Sequence, residues 1–118
     1  MIGGLPSGVQ VHLAAGRTDM RKGIDGLAAL VQSVLRADPF SGHVFVFRGR
    51  AGYAVKLLFW DQGGFVLVYK RLERGHFVWP IADKGSVIIS RAQLSLLFDG
   101  IDWRKIKQCS ITKPSTAA

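Results

Sequence analysis

The sequence predicts a single α+β domain in which an antiparallel β-meander of five to six short strands packs with two helices. Short β-branched and aromatic runs alternate with tight, glycine-containing turns between His43 and Pro80. Two other segments place apolar residues at helical spacing. At 118 residues and 48% hydrophobic, the chain has the size of one domain with a core that needs neither a metal nor disulfides.

A glycine-rich lead-in and a first strand begin the chain. Residues 1–8 contain three Gly and one Pro, with no basic region followed by an apolar run, so we expect no signal peptide. Val9, Val11 and Leu13 then alternate with other residues, which is typical of a strand with one buried face.

The first helix is predicted between this strand and the meander. Gly23 and Gly26 weaken its first turns, so it should begin near Asp25, and Asp19 can accept hydrogen bonds from free amides as an N-cap does. Asp38-Pro39 should end it, because a residue before proline avoids helical angles. The apolar stripe comprises Ile24, Leu27, Ala28, Val31, Val34 and Leu35.

The meander and the second helix follow. A capping box at Ser90 and Gln93 predicts the helix start, and Gly100 its end, with Trp103 folding back on the core. The domain should therefore span 1–104, followed by a flexible basic and polar tail at 105–118. Strands are predicted at 44–47, 53–60, 65–72, 76–79 and 87–89, with turns at 48–52, 61–64 and 73–75.

The net charge of +8 is the main global indication of function. A strongly basic chain attracts polyanions over long range, so DNA is the expected partner, although a basic face can also serve solubility or meet an acidic protein. No run is apolar enough to span a membrane. Cys109, the only cysteine, excludes an intramolecular disulfide and suggests a cytoplasmic location.

Basic and aromatic residues interleave in the meander. Alternate turns lie at one end of a meander, so Arg48, Arg50, Arg71 and Arg74 should meet there, with Lys56 and Lys70 on the strands nearby. Guanidinium groups match phosphate geometry. Aromatic rings can stack on unpaired bases, or they can simply form the core. The aromatic candidates are Phe47, Tyr53, Phe59, Trp60, Tyr69, Phe77 and Trp79.

A second basic cluster, Arg17, Arg21 and Lys22, precedes the first helix. Cations beside a helix N-terminus favour an anion site, unless Asp19 and Asp25 neutralise them locally.

The remaining polar residues match no catalytic or metal pattern. Asp19, Asp25, Asp61 and Glu73 have no metal-ligand spacing, and Glu73 should pair with the arginines that flank it. The histidines, His12, His43 and His76, match no zinc pattern. We therefore predict no catalytic residue, metal or cofactor.

Four long segments resemble a known family over about residues 3–104. They are LPSGVQVHLAAGRTDMRKGIDGLAALV, DPFSGHVFVFRGRAG, VKLLFWDQGGFVLVYKRLERGHFVWP and ISRAQLSLLFDGIDWR. They are similar to the TnpB accessory protein of bacterial insertion sequences of the sixty-six type, which is unrelated to the RNA-guided nucleases called TnpB. Gln10 and His12 depart from the family pattern, where a basic residue and an aromatic one are expected.

The resemblance implies a transposition role beside a separate transposase that carries the acidic catalytic residues. The motifs RTDMRKG, FRGRAG and YKRLERG coincide with the basic clusters. We therefore expect an accessory factor that binds nucleic acid. The alternative is an adaptor that contacts the transposase, or another accessory protein of the element, without binding DNA.

Overall fold

Two helices pack on a five-stranded sheet in the computed structural model, which describes residues 7–80 and 85–101. The predicted α+β class is confirmed, while Trp103 and the predicted tail lie outside the described residues. In chain order the elements are β1 (Val11–Ala14), α1 (Ile24–Ser33), β2 (Val44–Arg48), β3 (Ala54–Asp61), β4 (Gly64–Arg71), β5 (Ser86–Ile89) and α2 (Arg91–Phe98).

The sheet is mixed, with strand order β4-β3-β2-β1-β5. Strands β2, β3 and β4 form an antiparallel meander, as predicted. Strand β1 instead lies parallel to β2, because α1 carries the chain back before β2 begins, and β5 pairs antiparallel with β1. The parallel pair places β1 and β2 in the middle of the sheet.

Apolar side chains on each face of the sheet form a separate core. Phe45, Phe47 and Leu58 pack with Leu27 and Val31 of α1. The alternate residues of the same strands point to the opposite face and join Leu94 and Leu97 of α2. These residues are Val11, Leu13, Val44, Val46, Val55 and Leu57. Both faces of the central strands are therefore buried.

Helix α1 begins where expected but differs from the prediction at its cap and its end. Its N-cap position is Gly23, which has no side-chain cap, so the prediction that Asp19 caps the helix was wrong. A turn closed by Lys22 N–H on the carbonyl of Asp19 separates that carboxylate from the helix. The helix ends at Ser33, well before Asp38-Pro39, since the chain leaves helical geometry and Arg36 has a φ of 55°.

The segment 76–79 is not a strand, which corrects the predicted fourth strand of the meander. Its backbone is tied to the turn after β2: Phe77 N–H donates to the carbonyl of Gly52 at 3.0 Å. Phe77 is buried in the core that contains α2. The segment therefore runs across the end of the sheet, where it can contribute to a site, instead of extending the β4 edge.

Helix α2 has the predicted boundaries. Ser90 Oγ accepts from Gln93 N–H, and the Gln93 side chain accepts from Ser90 N–H, which completes the capping box. At the other end Gly100 has a φ of 75°, and Ile101 N–H donates to the carbonyl of Leu96. This is the Schellman ending that glycine favours.

Candidate nucleic-acid interface

Three basic segments that are distant in sequence meet at one end of the sheet. Strands β1 and β2 are parallel and both end there, so the segment 17–22 lies beside the turn 49–53. Thr18 N–H donates to the carbonyl of Arg48 at 2.7 Å, and Thr18 forms a parallel bridge with Gly49. We call this region the basic end and define it by Arg17, Arg21, Lys22, Arg48, Arg50, Arg71 and Arg74.

The end of β4 brings in the third segment. Arg71 pairs with Ala54 in the register of β3 and β4, and Leu72 N–H donates to the carbonyl of Tyr53 at 2.8 Å. The turns 48–52 and 73–75 therefore share one end, as the meander predicted. The structure thus gathers seven of the nine predicted nucleic-acid-binding residues, and their binding role stays a prediction.

The other two predicted residues, Lys56 and Lys70, have partners within the protein. Lys56 is 9% exposed, and its Nζ donates to the carbonyl of Lys22 at 2.9 Å and lies 5.3 Å from the Tyr69 ring centroid. Lys70 Nζ donates to the carbonyl of Phe98 at 2.7 Å, in the last turn of α2. A cation there complements the negative end of the helix. We therefore draw the candidate surface without these two lysines.

Arg21 forms a local ion pair with Asp19. The Arg21 Nη2 and Asp19 Oδ2 atoms are 2.7 Å apart, and Arg21 N–H also donates to Oδ1 at 2.9 Å. These hydrogen bonds hold the pKa of Asp19 well below its usual range, and the charge of Arg50 adds to the effect. The Arg21 side chain remains 90% exposed. Within this cluster, Asp19 therefore neutralises the charge of Arg21 locally. The Arg21 guanidinium nevertheless stays exposed to solvent.

Arg71 pairs with Glu73, as the sequence predicted. Their Nη2 and Oε2 atoms are 3.2 Å apart, and the two side chains are 57% and 80% exposed. Exposed pairs of this kind contribute little free energy and exchange readily for other partners. Arg50 and Arg74 are both exposed to solvent.

Arg48 is the least exposed arginine of the basic end. Its guanidinium carbon lies 5.5 Å from the centroid of the Trp79 ring, and Trp79 Nε1 donates to the carbonyl of Gly52 at 3.1 Å. Its Nε atom is buried and has no hydrogen-bond partner in the part of the chain that the structure describes. Burial and the charge of Arg17 lower the pKa of Arg48. The two guanidinium groups therefore repel each other.

Few of the aromatic candidates present a ring at the basic end. Phe47 and Phe77 are buried in the two cores. Tyr53 and Tyr69 are 42% and 52% exposed and line a hollow that also contains Arg50. Trp60 lies at the opposite end of the sheet, next to Phe40 and Phe65. Only Tyr53, Tyr69 and Trp79 thus combine an accessible ring with nearby cations among the described candidates.

A groove beside Arg48 is a feature that the sequence prediction missed. Its volume is about 450 Å³, and Arg17, Arg48, Trp79 and Pro80 line it with the end of β1. A second hollow of about 380 Å³, lined by His76 and Gly52, shares Arg48 and Trp79. No local motif could have indicated this groove, since it forms only because the segment 76–80 crosses the end of the sheet.

The carboxylates and histidines do not assemble into a catalytic centre in the described ranges. Asp19 lies at the basic end, whereas Asp61 lies at the far end of β3. His12 and His43 have ring centroids 5.7 Å apart, but no group of three or more potential metal ligands occurs in residues 7–80 and 85–101. No described helix is long and apolar enough to cross a membrane.

Comparison with known proteins identifies the family. The chain is 54% identical over 102 residues to the uncharacterized protein y4hO of Sinorhizobium fredii (strain NBRC 101917 / NGR234), covering 85% of this chain and 89% of the relative. It is 39% identical over 111 residues to y4jC of the same strain, covering 94% and 95%. No solved structure matches. The model of the IS66 Orf2-like proteins matches residues 9–108, which confirms the resemblance drawn from the sequence motifs. The chain therefore belongs to the IS66 Orf2-like family, and this membership supports an accessory role in transposition.

Proposed function

We propose that this protein binds DNA through its basic end and so assists a separate transposase. The observation that carries the proposal is topological: the parallel β1–β2 pair and the meander bring three separate basic segments to one end. Each of these segments belongs to a different element connection, so local sequence composition alone does not account for their meeting.

The charge balance of the basic end supports a polyanionic partner. Seven cations stand there with four described carboxylates, so cations outnumber carboxylates by seven to four. Asp25 lies in the first turn of α1 and Asp99 caps the end of α2. Asp19 and Glu73 pair with Arg21 and Arg71. A phosphate backbone can replace such pairs and contact the remaining guanidinium groups in bidentate geometry. Binding of this kind releases counterions and falls steeply as salt rises.

A matched pair of charge variants tests the proposal. The variant R50Q/R74Q removes two exposed charges from the basic end. The control R36N/R91Q removes two charges from the other end, where α1 ends and α2 begins. Asparagine tolerates the positive φ of 55° at position 36.

Binding to DNA from the ends of the element should be measured over a range of salt concentrations. Each lost phosphate contact should reduce the magnitude of the slope of log K against log salt by about 0.9. The slope for R50Q/R74Q should therefore be smaller in magnitude than that for wild type by up to about 1.8. The control should keep the wild-type slope. Equal slopes for the two variants would contradict the proposal that Arg50 and Arg74 contact DNA.

The second candidate, an adaptor for the transposase, is supported by an aromatic cluster at the opposite end. Phe40 is 53% exposed, and its ring centroid lies 5.0 Å from Trp60 and 5.1 Å from Phe65. If this cluster holds the transposase, co-purification should survive nuclease treatment and be reduced in Phe40→Ser but not in R50Q/R74Q. Loss of the complex on nuclease treatment would exclude direct contact.

We also propose that the protein has no catalytic activity of its own. Asp19 and Glu73 are engaged in ion pairs with Arg21 and Arg71, and Asp19 and Asp61 lie at opposite ends of the sheet. Metal-dependent DNA cleavage that is abolished by Asp19→Asn, Asp61→Asn or Glu73→Gln would contradict this.

A further inference from the structure

The groove between Arg17 and Trp79 has the composition of a nucleotide site. Arg17 and Arg48 supply two guanidinium groups, Trp79 and Pro80 supply flat apolar surfaces, and Leu13 and Ala14 line it at the end of β1. Its volume of about 450 Å³ lies within the range of small-ligand pockets, roughly 300–1,000 Å³.

Arg48 is held in place without having its hydrogen-bonding capacity filled. Its guanidinium lies against the Trp79 ring, which is itself held by the bond from Nε1 to the carbonyl of Gly52. Its Nε is a buried donor without a partner among the described residues, although buried donors are normally satisfied. The described residues thus leave the hydrogen-bonding capacity of the Arg48 guanidinium partly unfilled where it borders the groove.

The charge of Arg17 also favours the binding of an anion in the groove. Its charge acts on Arg48 across the groove, and neither arginine forms an ion pair with a carboxylate in the ranges that the structure describes. A phosphate placed between the two guanidinium groups would relieve their repulsion and accept hydrogen bonds from both.

We infer that this groove binds one unpaired nucleotide of a single strand, with its phosphate on Arg17 and Arg48 and its base against Trp79 and Pro80. A pocket of this size admits a nucleotide but not a base-paired duplex, and an aromatic ring beside arginines is the combination that single-strand-binding proteins use. The inference rests on the proposed function and assigns it a strand preference: the exposed arginines contact the backbone in general, and the groove selects an unpaired end or gap.

The test compares three probes of about six nucleotides each: single-stranded oligothymidine, the same strand without bases, and a duplex of equal length. Wild-type protein should bind oligothymidine about tenfold or more tightly than the abasic strand, because stacking is lost when the base is removed. Binding of oligothymidine should also quench tryptophan fluorescence, and Trp79→Phe should reduce the quenching.

Variants separate the groove from the rest of the basic end. Arg17→Gln, at an exposed position, should weaken oligothymidine binding by about tenfold and duplex binding by a smaller factor, because a duplex loses only one of several backbone contacts, while Arg36→Asn should change neither. Thermal unfolding of each variant shows whether it is folded. The comparison of oligothymidine with the abasic strand uses wild-type protein, so it does not depend on the folding of any variant.

Each outcome decides between the two proposals. Equal affinity for oligothymidine and the abasic strand, or equal losses for single strand and duplex in Arg17→Gln, overturns the groove assignment. If duplex binding still depends on Arg50 and Arg74, the general DNA-binding proposal survives that result. If neither strand form binds, both proposals fail.

Discussion

Lys56 and His12 are two polar side chains on the sheet face that α1 covers. Lys56 Nζ is satisfied by the carbonyl of Lys22 and the face of Tyr69, so its charge stabilises the loop before α1. His12 has a less favourable environment. Its ring stacks on Phe45 at 5.3 Å and lies 5.7 Å from the ring of His43. Burial, and then the charge of His43, lower the pKa of His12.

This lowered pKa predicts that the protein is less stable in mild acid. The unfolded chain takes up a proton on His12 near pH 6.5, whereas the folded chain does so only at lower pH. The free energy of unfolding should therefore fall as pH decreases from about 6.5 towards the folded-state pKa, and change little from this source above pH 7.

His12→Phe checks the assignment, because it keeps an aromatic ring and removes the titrating group. The decrease in Tm between pH 7.5 and pH 5.5 should be smaller in this variant than in wild type. His76→Gln, which changes an exposed histidine, should keep the wild-type decrease. The same decrease in His12→Phe as in wild type would contradict the prediction.

At the scale of the elements, the contact between the segment after β1 and the turn after β2 determines the shape of the basic end. Thr18, which is 7% exposed, bridges to Gly49. A Cβ atom on Gly49 would lie 2.9 Å from Met20 Cγ and 3.2 Å from the carbonyl oxygen of Ala54. The two segments can approach this closely only because residue 49 has no side chain.

Gly49→Ala should therefore separate these segments and destabilise the fold. We expect a loss of about 1–3 kcal/mol in the free energy of unfolding, the usual cost of overpacking, measured by chemical denaturation. Gly64→Ala is the matched control, since a Cβ there meets nothing within 4 Å and the backbone requires no positive φ. A loss in Gly64→Ala as large as in Gly49→Ala would mean that the close contact is not the cause.

The whole molecule has two different ends. One end carries the seven cations of the basic end, and the other carries the aromatic cluster of Phe40, Trp60 and Phe65. Within the total net charge of +8, this clustering creates repulsion that is long-range and sensitive to salt. The same repulsion that favours a polyanion disfavours the compact state when no anion is bound.

Salt should therefore stabilise the free protein. Raising sodium chloride from about 0.05 to 0.5 M shortens the screening length several-fold, and we expect Tm to rise by about 2–4 °C, equivalent to roughly 0.5 kcal/mol in a domain of this size. R50Q/R74Q should show a smaller rise, and R36N/R91Q should stay close to wild type. An unchanged rise in R50Q/R74Q would show that the clustered charges do not cause the effect.

The local features of this protein can be predicted from its sequence alone. The α+β class, the meander of β2 to β4, the capping box at Ser90 and the shared end of the turns around Arg48 and Arg74 all follow from patterns within a few residues or from the geometry of hairpins. Periodicity, turn residues and caps act over one or two turns of chain, so they can be read without knowing the fold.

In contrast, the packing of distant segments determines which of the basic residues face solvent and where the groove lies. Lys56 and Lys70 have the same charge as Arg50 and Arg74, but backbone carbonyls from distant elements bind them. The parallel pairing of β1 with β2 brings Arg17 to Arg48, and the crossing of segment 76–80 brings Trp79 to the same place. These contacts join residues about 30 or more positions apart, and a long-range contact depends on the packing of the whole sheet, which no local pattern records.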